Sequence, residues 1–548
     1  MSTARSTVRG VVRNSQGGAG VARARVQIEG DAETGALTDG DGRFELRDVP
    51  VGPQSFTVDK PGYQDLPFGG AAVEQFSGGE GSERFRMGGN HNVIVADGMP
   101  ELVFTLAPSA AIRGLVQSAN GEPLAGITVQ LAWRTIEDGR AIWQLHGETK
   151  TRFDGRFRFG GLNEGVYALF TSPQIEDEVA ELDATDAAEN SEATNLPQQA
   201  KGYPAIYYPD AREPGGAGRI PLAAGQDAQV TLNLPEEIFH RVTVPVSADT
   251  PKFVSSLQDA NGRCLPYSAR SNMVSHALEA LLPDGSYQVL VTSFPEPPTP
   301  GVRRHREDGP YAGLLEFTVA GKTLKTRSVS LGPQRPGPVE VTLLRGGTGR
   351  SGAADENGEI VVLANQASGW VDDGVASAFA SGPVGSPLDA TYTVPGSYWL
   401  HAQIPQKGFC EGSFTAGGAS LAHEPVRVPL GGTTAPLTLA VRRDCAELAL
   451  RLPPATMAFG AGEEPYYTAW VVPDFDFTQN LTSNTLRPTS GDSVTVSGLA
   501  PGNYHVYVFA GPHPLEYHNR EALAGMKGQS VTLEPEGTAE LVLEVPGR

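Results

Sequence analysis

Cysteine, long apolar runs and basic residues are all scarce in this sequence. Three cysteines in 548 residues exclude the disulfide-dense scaffold of a small secreted domain. No apolar run approaches the roughly 18 residues of a membrane-spanning helix, and the N-terminal MSTARSTVRG lacks the apolar stretch of a signal peptide. With 42 basic and 63 acidic residues, the net charge of −21 argues against binding to nucleic acid or insertion into an anionic membrane.

Catalytic signatures are also missing. The sequence contains no Gly-x-Ser-x-Gly elbow and no phosphate-binding Gly-x-x-x-x-Gly-Lys motif. The segment HPLEYH, residues 513–518, has the His-x-x-Glu spacing of a zinc site. No histidine follows His518 to supply a third ligand, so a loop is the better interpretation. We therefore predict no catalytic residue, no cofactor, no metal site and no enzyme.

Glycine and proline are abundant, at 66 and 43 residues, and they separate short alternating apolar runs. This pattern predicts antiparallel strands with few helices. In GRFELRDV, for example, alternation places Phe44, Leu46 and Val49 on the buried face. The clearest helix candidate is NREALAGMKG, residues 519–528, with Asn519 as its N-cap and Gly528 at its end.

The segment TDGDGRF, residues 38–44, fits either a calcium loop or a tight turn. A calcium loop that began at Asp39 would place Arg43 at position 5 and Pro50 at position 12, where oxygen ligands are required. A second copy, TRFDGRF at 151–157, has Arg152 in place of Asp39. We therefore predict a type I′ hairpin turn with positive φ at both Asp and Gly, and no calcium binding.

Internal repetition organises the whole chain. A glycine followed by an alternating strand recurs at roughly 110-residue intervals, the size of one small domain, and each unit closes on a further strand. The repeat predicts five domains, at residues 1–108, 109–236, 237–344, 345–443 and 444–548. The shared glycines are Gly52, Gly165, Gly285, Gly396 and Gly502.

The motifs of the first two units resemble the carboxypeptidase regulatory-like domain, a transthyretin-like, Ig-like β-sandwich. They include an opening V-x-G-x-V, the turn T-D-x-D-G-x-F, the segment G-L-x-x-G-x-Y and the KPGY of residues 60–63. The resemblance extends to tandem bacterial copies of the family, and the last three units keep only Gly-x-Tyr and its strand. It implies an all-β chain of about five tandem antiparallel sandwiches.

The same resemblance implies a non-catalytic module with no fixed ligand at the cell surface, in the periplasm or outside the cell. Our leading hypothesis is a structural and interaction protein that acts as a spacer, adhesion or assembly component. Its partner would be a protein or a surface polysaccharide, and exposed sandwich edges would permit self-assembly. The alternative is an array of carbohydrate-binding modules that supports a separate polysaccharide-degrading enzyme. Early strands that carry Arg and no Lys argue against an isopeptide crosslink of the pilin type.

Aromatic side chains are the candidate ligand contacts. A turn at Asp138 and Gly139 would pair Trp143 with Arg134 and leave Trp143 on an outer face, where it could stack on a sugar or pack on the first or third domain. Tyr207 and Tyr208 lie near in sequence and complete the candidate set. Trp133, Trp370, Trp399 and Trp470 are predicted to be core or hairpin residues.

The cysteines and two charged segments leave alternatives open. Cys410 and Cys445 could form a disulfide between the fourth and fifth domains, or all three cysteines could be buried thiols. The acidic segment 176–192 is either a solvated excursion or a weak calcium site. The basic RRHR at 303–306 is interpreted as an exposed loop.

Short linkers between successive domains predict a semi-rigid rod. One domain's last strand passes into the next domain's first strand within a few residues at 436–452. Five domains in a row would extend about 150 to 200 Å and have a radius of gyration well above about 40 Å, against about 24 Å for a compact chain of this length.

Overall fold

A computed structural model describes most of the chain. The described residues are 4–65, 91–175, 196–247, 253–272, 275–293, 311–335, 337–344, 359–370, 377–390, 394–405, 408–432, 434–453, 467–486, 493–511 and 513–545. Within these ranges the fold is almost entirely β, with 42 strands, one short α-helix and one turn of 3-10 helix at Pro214–Gly216. The all-β prediction is confirmed.

The strands fall into five consecutive groups. The first group contains β1 Arg5–Asn14, β2 Arg25–Ile28, β3 Asp31–Leu37, β4 Arg43–Pro50, β5 Gly52–Asp59, β6 Tyr63–Asp65, β7 His91–Val95 and β8 Leu102–Pro108. The second contains β9 Ala110–Ser118, β10 Thr128–Glu137, β11 Arg140–Lys150, β12 Arg156–Leu162, β13 Gly165–Thr171, β14 Gln174–Ile175, β15 Gln199–Tyr203, β16 Ile220–Leu222 and β17 Asp227–Leu234.

The remaining three groups follow in the same way. The third contains β18 Glu237–Ser247, β19 Val254–Gln258, β20 Arg270–Asn272, β21 Ala277–Leu282, β22 Gly285–Ser293, β23 Tyr311–Val319, β24 Leu324–Lys325, β25 Val329–Ser330 and β26 Gly332–Pro333. The fourth contains β27 Val339–Leu344, β28 Glu359–Gln366, β29 Ser377–Pro383, β30 Asp389–Ala390, β31 Gly396–Gln403, β32 Cys410–Ala416, β33 Ala419–Ser420, β34 Val426–Val428 and β35 Leu437–Arg442. The fifth contains β36 Ala446–Arg451, β37 Tyr467–Pro473, β38 Asn484–Leu486, β39 Ser493–Leu499, β40 Gly502–Ala510, α1 Arg520–Ala524, β41 Gln529–Leu533 and β42 Thr538–Val542.

Each group is a sandwich of two sheets around its own hydrophobic core. In the first domain, sheet β4-β1-β8-β6 faces sheet β3-β2-β5-β7. The alternation predicted for β4 is confirmed, because Phe44, Leu46 and Val49 are buried in that core. One apolar face per sheet therefore forms each domain, as expected for antiparallel sandwiches.

The first strand of each domain pairs in parallel with a strand near the end of the same domain. The pairs are β1 with β8, β9 with β17, β18 with β24 and β25, β27 with β35, and β36 with β42. These pairs join the two ends of each unit in one sheet, so each domain closes on itself.

The repeated Gly-x-Tyr motif has a structural basis. All five shared glycines begin a strand, namely β5, β13, β22, β31 and β40. In the last four domains the tyrosine two residues later donates its hydroxyl hydrogen to the carbonyl four residues before it, and this bond anchors the corner that leads into the strand. The four bonds are Tyr167 to Asn163, 2.9 Å, Tyr287 to Pro283, 3.0 Å, Tyr398 to Val394, 2.9 Å, and Tyr504 to Ala500, 2.6 Å.

Two domain boundaries differ from the predicted ones. Strand β27, which we assigned to the end of the third domain, pairs with β35, and its Val339 lies in the fourth core. Strand β15 of the second domain pairs with β18 of the third, so one sheet is continuous across that boundary. An alternating strand signal shows that a strand exists but does not show which neighbour it pairs with.

The TDGDGRF segment is a turn, but not of type I′. Gly42 has φ of 80°, and Asp41 is not among the described residues with positive φ. The amide N–H of Asp39 donates to the carbonyl of Arg43, and that of Gly42 donates to the carbonyl of Asp39. This is a three-residue loop that ends in a left-handed glycine. It joins β3 of one sheet to β4 of the other.

The side chain of Asp39 stabilises this loop. Its Oδ1 accepts the backbone N–H groups of Asp41 at 3.0 Å and Arg43 at 2.8 Å. A carboxylate that accepts two amides in this way supports a turn.

The helix predicted near the C-terminus is confirmed. Asn519 caps α1 by accepting from the amides of Glu521 and Ala522, and the helix ends at Gly525 before Gly528.

The five domains do not lie end to end. The hairpin formed by β10 and β11 of the second domain contacts both the fourth and the fifth domains. The prediction of a semi-rigid, end-to-end rod is therefore wrong, because a chain whose second domain touches its fifth must fold back on itself.

We expect Gly42→Ala to destabilise the first domain by about 3 kcal/mol. A Cβ at this residue would lie 2.4 Å from the carbonyl oxygen of Val12, and the φ of 80° disfavours any side chain. Hydrogen exchange of the full-length chain should show faster exchange in β1 and β4. Gly17→Ala has a similar positive φ of 90° but open space around it, so its effect on exchange in β1 should be clearly smaller. Equal effects of the two changes would contradict the steric argument.

Candidate functional site

The tip of the β10–β11 hairpin is the best-defined interaction site in the described part of the chain. Asp138 and Gly139 both have positive φ, 48° and 69°, so this is the two-residue turn predicted from the sequence. A Cβ at Gly139 would lie 2.3 Å from the ring of Tyr517 in the fifth domain. The Gly139 carbonyl accepts the backbone N–H of His518 at 3.1 Å, and Asp138 accepts the side-chain amide of Asn365 at 2.5 Å. The tip thus lies between the fourth and fifth domains. We call this contact of the β10–β11 hairpin with the fourth and fifth domains the junction.

Arg140 places a cation on an aromatic ring in this junction. Its guanidinium carbon lies 3.5 Å from the ring centroid of Trp399, and the guanidinium donates to the carbonyl of Ala422 at 3.1 Å. Burial lowers the pKa of Arg140 to about 10, against the opposing effects of Tyr517 and Asp138. The side chain therefore stays charged at neutral pH, and the cation–π contact attaches the second domain to the fourth.

An aromatic cluster extends the contact between the second and fourth domains. Trp370 of the fourth domain is 7% exposed. Its ring centroid lies 5.6 Å from that of Trp143, 5.8 Å from that of Phe170 and 5.5 Å from that of Tyr207. The Trp143 amide also donates to the carbonyl of Gly369 at 3.2 Å. Phe170 and Tyr207 pack edge to face on Trp370, whereas the Trp143 ring is tilted against it, and all three contacts bury apolar surface.

The four candidate ligand contacts lie in or beside this junction. Arg134 pairs with Trp143 across the ladder, as predicted. Trp143 packs on the fourth domain, and not on the first or third as expected. Tyr207 is fully buried, and Tyr208 is half-buried against the second core. In this structure none of the aromatic three forms an open, flat platform.

Arg134 reaches the fifth domain. Its guanidinium lies 3.0 Å from Glu516, and the two side chains are 28% and 15% exposed. Glu516 belongs to the HPLEYH segment, so the glutamate of the zinc-like spacing is an ion-pair partner. Trp470 donates its indole N–H to the carbonyl of His513. The loop interpretation is confirmed, and no group of three His, Cys, Asp or Glu among the described residues could hold a metal ion.

Two buried histidines of the junction have lowered pKa values. Burial, with Arg140, His401 and His423 nearby, lowers the pKa of His518 to about 3. Burial lowers the pKa of His401 too, with Asp138 acting in the opposite direction and Arg140 in the same one. The fold thus favours the neutral imidazole at both residues, and protonation would place further cations beside Arg140.

A disulfide and a buried carboxyl connect the fourth domain to the fifth. Cys410 and Cys445 form the disulfide that the sequence left open, and Cys264 is exposed, so the three-buried-thiols alternative is wrong. Next to it, Glu411 accepts from the amide and hydroxyl of Thr478 at 2.8 and 3.0 Å. Burial raises the pKa of Glu411 to about 7, despite these opposing hydrogen bonds.

Sequence reasoning missed most of the fourth- and fifth-domain partners. Trp370 and Trp399, predicted to be core or hairpin residues, contact the second domain, and no motif in the sequence points to Tyr517 or Arg140. The one available signal was the Asp-Gly turn at 138–139, which predicted a hairpin tip but not its target. The acidic segment 176–192 and RRHR at 303–306 lie outside the described residues.

We expect Glu411→Gln to stabilise the protein at pH 8 by up to about 3 kcal/mol and to have little effect at pH 4.5. Because burial raises the pKa of Glu411, the folded state favours the protonated carboxyl. The stability that this protonated side chain allows is fully present below pH 4.5 and is lost as the pH rises through 7. Scanning calorimetry of the full chain at both pH values measures the difference. Glu447→Gln, on the exposed side of β36, is the control. A gain for Glu411→Gln that is the same at both pH values would contradict this assignment.

We expect the junction to weaken as the pH falls below 6.5, by up to about 2 kcal/mol at pH 5 from His518 alone. Because burial lowers the pKa of His518, the folded state favours the neutral imidazole. The stability that the neutral ring allows is fully present above pH 6.5 and is lost as the pH falls towards 3. The His518 ring stacks on Phe477 with a centroid separation of 4.8 Å, so His518→Phe should keep this stacking and reduce the acid sensitivity. Thermal unfolding at pH 7 and 5, followed by tryptophan fluorescence, tests this, and an unchanged acid sensitivity in the variant would rule His518 out.

Comparison with known proteins identifies the first domain. Residues 7–77 match the family model of the carboxypeptidase regulatory-like domain. No curated protein sequence matches the chain. No helix within the described ranges has the length and apolar character to cross a membrane.

Several solved structures are similar to parts of the chain. A streptococcal ancillary pilin is 11% identical over 60% of this chain and 100% of its own, with a TM-score of 0.19. The Bacillus anthracis TIE protein is 10% identical over 99% of this chain and 74% of its own, at 0.16. The shaft pilin SpaA of Lactobacillus rhamnosus GG is 10% identical over 42% and 98%, at 0.18. The chain is thus a tandem β-sandwich protein in which residues 7–77 match the carboxypeptidase regulatory-like domain.

Proposed function

We propose that this chain is a non-catalytic structural and interaction protein that holds five sandwich domains in one folded-back arrangement. The observation that carries the proposal is the docking of the second domain's hairpin on the fourth and fifth domains. Such docking gives the outer loops and sheet edges of distant domains fixed relative positions, which a scaffold or assembly component requires.

The chemistry of the junction supports a lasting arrangement. A glycine against a tyrosine ring, a guanidinium on a tryptophan face and a partly buried ion pair each need a specific partner geometry. Contacts of this kind are more selective than apolar burial alone, because a shifted partner leaves a buried charge unpaired. The second domain therefore acts as the centre against which the later domains are positioned.

The disulfide supports a location at the cell surface or outside the cytoplasm. Disulfides persist in oxidising compartments and are uncommon in the cytosol. The Cys410–Cys445 bond also joins two domains instead of stabilising one. It therefore suits a protein whose domain arrangement must survive outside the cell.

The carbohydrate-binding alternative has less support. It depended on Trp143, Arg134, Tyr207 and Tyr208 as exposed contacts. Trp143 and Tyr207 pack on Trp370, and Arg134 pairs with Glu516. Because these side chains already contact other domains, they favour a role in positioning domains over a role in stacking on sugars.

A protein partner or a second copy would find open strands at the sandwich edges. Strand β42 lies at the end of sheet β39-β36-β42, and its Val542 is 53% exposed. An edge strand with an exposed apolar side chain can pair with an added strand. Self-assembly through such edges is part of the proposal.

We expect small-angle scattering of the wild-type chain to give a radius of gyration below about 40 Å, and Gly139→Ala to raise it by roughly 5 Å or more. The added methyl group would collide with the ring of Tyr517 and release the hairpin. Gly121→Ala is the matched control, because Gly121 also lies in a turn of the second domain with φ of 83° but has open space around it.

Two results would contradict the proposal. A wild-type radius above 40 Å would mean that the hairpin is not docked in solution. An unchanged radius in Gly139→Ala, with the domains still folded by circular dichroism, would mean that the hairpin does not hold the arrangement.

A further inference from the structure

An open cleft lies where the fifth domain meets the fourth, beside the junction. Its volume is about 490 Å³, which falls within the range of small-ligand sites. Its walls come from the loop after β37, from strand β40, from α1 with the loop before it, and from a loop of the fourth domain. No residue of the hairpin tip lines it, although three of its lining residues, Ala422, Tyr517 and His518, also contact the tip.

The walls of the cleft combine aromatic rings with carboxylates. Asp474, Phe475, Asp476 and Phe477 alternate along one loop, and all four line the cleft together with Tyr507. The two carboxylate side chains are 41% and 42% exposed, so both remain accessible to a ligand.

Each carboxylate is held in place by a histidine. His423 lies 2.7 Å from Oδ1 of Asp476, and His505 lies 3.2 Å from Oδ1 of Asp474. The other ring nitrogen of His505 lies 3.1 Å from the hydroxyl of Ser530. A serine that donates to Nδ1 leaves Nε2–H to donate to Asp474. Each histidine therefore orients one of the two acids.

A guanidinium already occupies part of this arrangement. Arg520, at the first position of α1, places its NH2 group 3.2 Å from Oδ1 of Asp476, and its side chain is 73% exposed. The remaining charge of the walls at neutral pH is negative, and the net charge of the chain, −21, attracts cations from a distance. Planar guanidinium groups stack on aromatic rings and bind carboxylates in two-point geometry.

We propose that this cleft binds an arginine side chain of a partner polypeptide, together with an adjacent apolar side chain. The guanidinium would lie between Asp474 and Asp476 and displace Arg520 from Asp476. The neighbouring apolar residue would contact Tyr507, Leu523 and Met526, of which Met526 is 38% exposed. Arg520 thus acts as an internal competitor for the site. The inference depends on the cleft alone, so it can fail while the folded-back arrangement stands.

A labelled tetrapeptide, Gly-Phe-Arg-Gly, tests the proposal against Gly-Phe-citrulline-Gly, which has the same shape and no charge. With the full-length protein in a fluorescence anisotropy titration, we expect the arginine peptide to bind at least about tenfold more tightly. Asp476→Asn and Asp474→Asn should each remove about tenfold in affinity. Arg520→Ala should increase affinity about threefold, since it removes the competing guanidinium from Asp476 and leaves the Asn519 cap and the His423 contact in place.

Controls separate specific recognition from general attraction. Asp210→Asn changes an exposed acid of the second domain and should leave affinity unchanged. Equal binding of the citrulline peptide, an equal loss in Asp210→Asn, or weaker binding in Arg520→Ala would each overturn the proposal. So would the absence of binding by either peptide to protein that is folded by circular dichroism.

Discussion

The close approach of Gly139 to Tyr517 is the contact on which the arrangement of the domains depends. Only a residue without a Cβ allows the hairpin tip to reach the fifth domain, where its carbonyl accepts the His518 amide. That approach in turn places Arg140 over Trp399 and Arg134 beside Glu516. One backbone contact therefore sets the positions of two buried or partly buried cations, and each of them would be costly to bury without its partner.

Features with a local cause could be predicted from the sequence. The Gly-x-Tyr repeat marks a corner in which the hydroxyl bonds to a carbonyl four residues earlier, so a short motif was enough to find the same corner in each of the last four domains. The Asp138–Gly139 turn set the register that pairs Arg134 with Trp143. Asn519, as a preferred N-cap residue, indicated the start of the only α-helix among the described residues. In each case the interacting groups lie within about ten residues of one another.

Features that depend on distant partners could not be predicted. Trp370 and Trp143 have the same apolar character whether they fill a core or join two domains, so alternation alone cannot separate the two uses. Strand β27 reads as the end of one domain, yet it pairs with β35 almost a hundred residues later. The turn at Asp39 was assigned to the wrong type because Asp-Gly also serves a three-residue loop, in which only the glycine is left-handed. Arg134 and Arg140 contact partners that lie hundreds of residues away in the sequence, so no spacing between residues indicates these pairs.

The parallel pairing of first and last strands also has a mechanical consequence. When two parallel neighbours such as β1 and β8, or β36 and β42, are pulled at their outer ends, the force runs along the ladder and loads all its hydrogen bonds together. An antiparallel hairpin pulled at its open end would lose these bonds one after another. Each domain is thus connected so that tension acts in shear, which is the stronger loading geometry. A chain of such domains resists extension through its backbone topology, independently of the contacts that fold it back.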